Sequence, residues 1–219
     1  MRILITGGTG FVGRSIVQEL LPFHEVTLFT SRKNKLFPNV PRIIGDRFNP
    51  ESLDLLRKVD EWDCIIDLGW SSEDVINMVD TVYHYIKYYV FISSSIADGI
   101  ESGKLDCFNS NPEDEVPGWH GETFGDACKY IQDKKDAENY IISTYGEWNN
   151  HMIFRPGYLC GIEDDTDRFD YSEWPNVHWK NTNDIPYKWE AVDNFAGRVT
   201  KEINNKNFGT INDIVNVQD

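Results

Sequence analysis

Apolar residues in this chain follow two rhythms, which alternate from the N-terminus to Arg155. Short continuous runs read as strands buried on both faces: Arg2–Thr6, Glu25–Thr30, Arg42–Gly45, Asp63–Leu68, Tyr89–Ser93 and Met152–Arg155. Longer stretches between them carry apolar residues at helical spacing. In Phe11–Leu21 these are Phe11, Val12, Ile16, Val17, Leu20 and Leu21, and Pro22 stops the run. In Pro50–Val59 they are Leu53, Leu55, Leu56 and Val59, and in Ser72–Lys87 they are Val75, Met78, Val79, Val82 and Ile86. Phe124–Tyr145 is the longest helix candidate. This β-α-β-α-β order with short connections predicts an α/β fold, a doubly wound parallel sheet with right-handed crossovers and helices on both faces.

The rhythm breaks twice. Ile96–Glu122 is rich in Gly, Pro, Asn and acidic residues and reads as a long loop facing the site. Asp164–Asp193 is rich in Trp, Tyr, Asn and Asp without a period, before a helix at Ala191–Asn204 and a last strand at Thr210–Val217. The expected organisation is a nucleotide-binding domain over residues 1–160 and a short substrate lobe over 161–219, packed as one unit.

The first strand runs into Thr6–Gly13, TGGTGFVG, with Gly7, Gly10 and Gly13 at G-x-x-G-x-x-G spacing. A tight strand-to-helix turn needs backbone angles that glycine adopts freely. Missing side chains also let a pyrophosphate approach the backbone and the free amides of the following helix. A bare glycine triplet is weak evidence, but here a strand precedes it and an amphipathic helix and second strand follow. The second strand ends at Thr30-Ser31-Arg32-Lys33. An acidic residue there would bond a ribose 2′-hydroxyl, whereas Arg32, assisted by Ser31, can fork onto a 2′-phosphate. The expected cofactor is therefore NADP, with NAD the alternative.

A second constellation lies further on. Phe91–Ser95 places Ser93, Ser94 and Ser95 at the C-terminal end of the fifth strand, the edge where open parallel sheets bind ligands. Tyr130 and Lys134 stand four residues apart, one turn along one helix face. An ammonium beside a phenol favours the phenolate, so the Tyr can exchange a proton with a substrate oxygen while a nicotinamide exchanges hydride.

With these motifs in view, the chain resembles the extended short-chain dehydrogenase/reductase family of Rossmann-fold epimerases, dehydratases and reductases. The matching segments, in order, are TGGTGFVG, VTLFTSRK, GDRFNP, DCIIDLGW, FISSS, YIQDK and RPGYLCG. GDR and YVFISS point towards the stem-loop-binding and isoflavone-reductase-like branch. The resemblance implies that Gly7, Thr9, Gly10, Phe11, Val12 and Gly13 cradle the pyrophosphate and that Arg32 meets the 2′-phosphate. It places Asp46 and Arg47 beside the adenine, Leu68 and Gly69 along the cofactor groove, and Pro156 and Gly157 by the nicotinamide. Ser94 becomes the catalytic hydroxyl, with Ser95 its rival because Ile96–Gly99 departs from the family's pattern, Tyr130 the acid/base and Lys134 its partner. The family's C-terminal lobe is larger, which puts a full sugar-nucleotide pocket in question.

Charge and cysteines narrow the partners. With 21 Lys and Arg against 36 Asp and Glu, the net charge is −15, which disfavours nucleic acid and anionic membranes. An RNA-associated role rests on the branch resemblance alone. No apolar run reaches the ~18 residues of a membrane span, and Met1 leads directly into the first strand. The expectation is a cytoplasmic protein, with its cysteines Cys64, Cys107, Cys128 and Cys160 reduced. The five histidines show no metal-ligand spacing, so no metal is expected. The expected function is an NADP(H)-dependent oxidoreductase or epimerase acting on a small hydroxyl or carbonyl substrate, with a sugar nucleotide as candidate. The alternative is a non-catalytic NADP-binding regulatory protein. A homodimer through the Ser72–Lys87 and Phe124–Tyr145 helices is one reading of Tyr83, Tyr85, Tyr140 and Ile142; packing within the monomer is the other.

Overall fold

A computed structural model describes residues 1–58, 61–95, 97, 110–115, 123–164, 169–170, 178–179 and 189–213. Its main sheet has seven parallel strands: β1 (Arg2–Thr6), β2 (Glu25–Thr30), β3 (Arg42–Ile44), β4 (Trp62–Asp67), β5 (Ile86–Ile92), β6 (His151–Arg155) and β11 (Thr210–Asp213). Their order is β11-β6-β5-β4-β1-β2-β3. Successive crossovers leave β1 in opposite directions, so the sheet edge between β1 and β4 is a topological switch point. This is the Rossmann arrangement expected from the sequence.

Strand periodicity divides the core. Ile3 and Ile5 face one cluster, with Ile16, Val17 and Leu20 of α1 (Phe11–Leu20) and Phe195, Val199 and Ile203 of α5 (Val192–Asn205). Leu4 points the other way, towards Leu53 of α2 (Pro50–Arg57), Val75 and Met78 of α3 (Ser72–Val82) and Ile141 of α4 (Phe124–Tyr145). Period-two strands between period-3.6 helices produce this double burial.

Several boundaries differ from the periodicity. α3 stops at Val82 because Ile86 and Lys87 belong to β5, where Ile86 pairs with Trp62. Once three sequential helical positions are in step, the pattern cannot distinguish Ile86 on a helix face from Ile86 in a strand. The C-terminal stretch also forms pairs that the composition concealed. β7 (Tyr158–Cys160) lies parallel to β10 (Trp189–Ala191), and β8 (Phe169–Asp170) antiparallel to β9 (His178–Trp179). Strands of two or three residues are too short to show a period. Of the Ile96–Glu122 loop, only Ala97 and residues 110–115 are among the described residues; Val59 and 214–217 of the last strand also lie outside them.

Tyr83 and Tyr140 pack within the chain: Tyr83 lies 5.4 Å from the Tyr145 ring, and the Tyr140 hydroxyl donates to Asp80. Cys64 and Cys160 are free and buried. Cys128 is disulfide-bonded, which corrects the all-reduced expectation at that position; its partner lies outside the described residues. No helix among the described residues is long and apolar enough to cross a membrane. No described group of three or more His, Cys, Asp or Glu could hold a metal.

Candidate active site at the β1–β4 switch point

The glycine turn has the local geometry that its residues dictate. Gly7 has φ +69°, and its carbonyl accepts from the Gly10 amide at 3.0 Å. A Cβ on Gly13 would lie 2.2 Å from the Gly7 oxygen and 2.7 Å from Gly8 Cα, so the helix start is pressed against the turn. α2, α3 and α4 begin with side-chain caps from Asn49, Ser71 and Thr123. α1 begins at Gly10 with none, leaving its first amides open to an acceptor. Thr9, Phe11 and Val12 are half-buried along this start. The cradle fits a pyrophosphate.

Ser31, Arg32 and Lys33 are exposed after β2. Asp46 is exposed too, its carboxylate accepting from the Phe48 amide at 3.0 Å. Arg47, expected beside the adenine, turns its guanidinium inward instead. It pairs with Asp67 at 2.6 Å and Asp74 at 3.3 Å. Leu68 packs on the turn, its Cβ 3.1 Å from where a Gly7 Cβ would stand. Gly69 and Pro156 are buried, and Pro156 accepts from the Ser95 amide at 2.8 Å, tying the ends of β5 and β6 together.

Lys134 is the most constrained of the expected catalytic groups. It is only 4% exposed, and its Nζ donates to the carbonyls of Gly69 at 2.7 Å and Ile92 at 3.0 Å. The ammonium also sits 4.7 Å from the Phe91 ring centre and 5.6 Å from that of Tyr130. Burial pulls its pKa from 10.5 down to about 8, against the opposing pull of Asp67, Asp74 and Glu138. Tyr130 is half-buried, its ring 4.8 Å from that of Trp70. Ser94 is half-buried at the mouth of β5, while the Ser93 Oγ is buried without a hydrogen-bond partner among the described residues. The fold therefore brings the glycine turn, Gly69, Lys134 and Tyr130 to one sheet edge.

Sequence reasoning missed the polar framework beneath them. Asp67, fully buried, accepts from Thr6 Oγ1 at 2.7 Å, from Arg47 and from the Tyr89 hydroxyl. Burial and the Asp67 charge push the Tyr89 phenol well up, so it stays a donor. Asp74 completes a capping box with Ser71 and accepts from the Trp70 amide at 3.0 Å. The signals were present: a carboxylate closing the apolar run Cys64–Ile66, and Ser-x-x-Asp before an apolar run. Glu138 of α4 grips Arg155 of β6 at 2.6 and 3.0 Å, fastening the Tyr130–Lys134 helix to the sheet. Trp70, 69% exposed with its ring against Tyr130, was also not among the expected site residues.

The fold is that of nucleotide-binding Rossmann proteins. Residues 3–97, the part that carries the glycine turn, the Asp67 network and the serine-ended strand, match the NAD dependent epimerase/dehydratase family. Among solved structures, a wide-type short-chain dehydrogenase/reductase from Veillonella parvula in complex with NADP is 16% identical. The match covers 99% of this chain and 95% of that one, with TM-score 0.65. The UDP-N-acetylglucosamine 4-epimerase of Methanobrevibacter ruminantium, in complex with UDP-N-acetylmuramic acid, is 15% identical over 98% and 76% of the two chains, TM-score 0.65. The protein lin1944 of Listeria innocua is 11% identical over 98% and 100%, TM-score 0.63. No curated protein matches the sequence. The match spans the Veillonella and Listeria chains nearly end to end and about three quarters of the epimerase.

Proposed function

We propose that this protein is an NADP(H)-dependent oxidoreductase or epimerase of the short-chain dehydrogenase type, acting on a small hydroxyl or carbonyl substrate, with a sugar nucleotide as candidate. The observation that carries the reading is Lys134. An ammonium held by two backbone carbonyls, one helical turn from Tyr130, is costly to bury, and that cost supports a working role for it. Gly7, Gly10 and Gly13 would hold the pyrophosphate, and Arg32 the 2′-phosphate. The nicotinamide, when bound, supplies the hydride donor or acceptor. Tyr130 passes a proton between its hydroxyl and the substrate oxygen, the Lys134 charge stabilises the phenolate form, and Ser94 orients the same oxygen by hydrogen bonding. The family matched by residues 3–97 and the NADP-bound neighbour support this reading.

The test is turnover of NADP(H) with a panel of sugar nucleotides and small carbonyl compounds, using Tyr130→Phe as control. A loss of kcat of about 100-fold or more is expected in the variant. Turnover unaltered by Tyr130→Phe would refute the assignment. NADPH binding without turnover of any substrate would favour the non-catalytic alternative.

A further inference from the structure

The buried charges beneath the site form one connected cluster. Asp67 closes β4, Arg47 enters from the loop after β3, and Asp74 stands in the first turn of α3. Arg47 bridges the two carboxylates at 2.6 and 3.3 Å. Gly69 lies directly on this bridge. A Cβ there would stand 2.5 Å from Asp74 Oδ1 and 3.1 Å from Arg47 Nη1. The Gly69 carbonyl in turn receives Lys134 Nζ at 2.7 Å. One peptide is thus held between an ion pair and the lysine of the proposed site. Asp74 holds the next residues as well, through the amides of Trp70 at 3.0 Å and Ser71 at 3.2 Å.

We infer that Arg47 and Asp74 are positioning residues for the proposed site: together they fix the Gly69–Trp70 loop against Lys134 and Tyr130, and their opposite charges set the field in which Lys134 holds its proton. This deepens the proposed function and rests on its assignment of Lys134. Among the described residues, the charged and titratable groups facing Lys134 are Asp67 of β4, Asp74 of α3, Glu138 and Tyr130 of α4, and Arg47. Glu138 is itself neutralised by Arg155 of β6. The carboxylates hold the proton on Lys134 and Arg47 works against them. Removing Arg47 and removing Asp74 must therefore move Lys134 in opposite directions, which loosening of the loop alone would not do.

The experiment is a pH titration of the full chain labelled with 15N at lysine Nζ and 13C at lysine Cε, followed by NMR, with Lys134→Met assigning the signal. Asp74→Asn, close to isosteric, should lower the pH at which Lys134 titrates by about one pH unit. Arg47→Met should raise it by a similar amount, and Arg47→Lys, which keeps the charge, should return it close to the parent value. An unmoved titration in Asp74→Asn, or displacement in the same direction by Asp74→Asn and Arg47→Met, overturns the inference. Should Arg47→Met fail to fold, the fall in Asp74→Asn alone supports it. The titration needs neither cofactor nor substrate, so its failure leaves the proposed chemistry standing. A protein that turns nothing over can still pass it.

Discussion

Replacing Lys134 by Met tests the physical claim on which the site reading depends, that a cation is buried here at a cost. The folded pKa of about 8 lies below the ordinary 10.5 because burial disfavours the ammonium. Between those two values the unfolded chain binds more protons than the folded one, so stability rises with pH through that window. The gain follows RT times the logarithm of the ratio of the two titration factors. It amounts to about 1.3 kcal/mol from pH 7 to 9 and about 2 kcal/mol by pH 9.5. At pH 7 the variant escapes about 3 kcal/mol of ionisation penalty. It also leaves the Gly69 and Ile92 carbonyls without their donor, at about 1–3 kcal/mol each. These effects largely offset, so the single-pH difference decides little and the pH dependence decides the matter. The assay is urea unfolding of both proteins from pH 7 to 9.5, read by tryptophan emission, since Trp62 lies buried in the core. Wild-type stability minus variant stability should climb by the amounts above, with groups common to both cancelling. A flat or falling difference would mean that Lys134 is solvated, and the site reading would lose its main support.

Three further outcomes are expected. Gly13→Ala sets a methyl against two backbone atoms of the turn, at 2.2 and 2.7 Å, and NADPH affinity measured by cofactor fluorescence should fall at least ~10-fold; unchanged affinity would place the cofactor elsewhere. Arg32→Glu puts a carboxylate where the 2′-phosphate is proposed to lie. It should weaken NADPH by ~10-fold or more while NADH binds no worse, and equal losses for the two cofactors would contradict the NADP assignment. Glu138→Ala removes the buried carboxylate that grips Arg155 and should cost about 3 kcal/mol in urea unfolding; a cost under about 1 kcal/mol would show that the pair does not fasten α4 to the sheet.

The elements of the first half were legible because each carries a strong period. The buried positions of β1, β2 and β4 are mostly apolar and the helices α1 and α3 striped, so local pattern and tertiary burial agree. The glycine turn was legible for a related reason: its function depends on backbone shape, and Gly7 and Gly13 announce that shape directly. The end of α3 was less legible, because Ile86 satisfies a helical stripe as well as the edge of β5. The pairing of β7 with β10 joins residues some thirty positions apart through three-residue strands, below the length at which a period can register.

What the sequence determined by itself is the parallel α/β architecture, the phosphate-type turn and the Tyr130–Lys134 spacing, all properties of neighbours along one element. What only the tertiary structure decided is where the charges go. Arg47 sits in a motif that suggested the adenine, yet its guanidinium points inward to Asp67 and Asp74, which approach it from two other elements. Lys134 is spaced from Tyr130 by its helix, but its burial and its two carbonyl partners come from β5 and the loop after β4. Periodicity reports which face of an element is apolar. The free energy of a buried charge depends on the partners that folding brings to it from distant segments, and no local pattern encodes those.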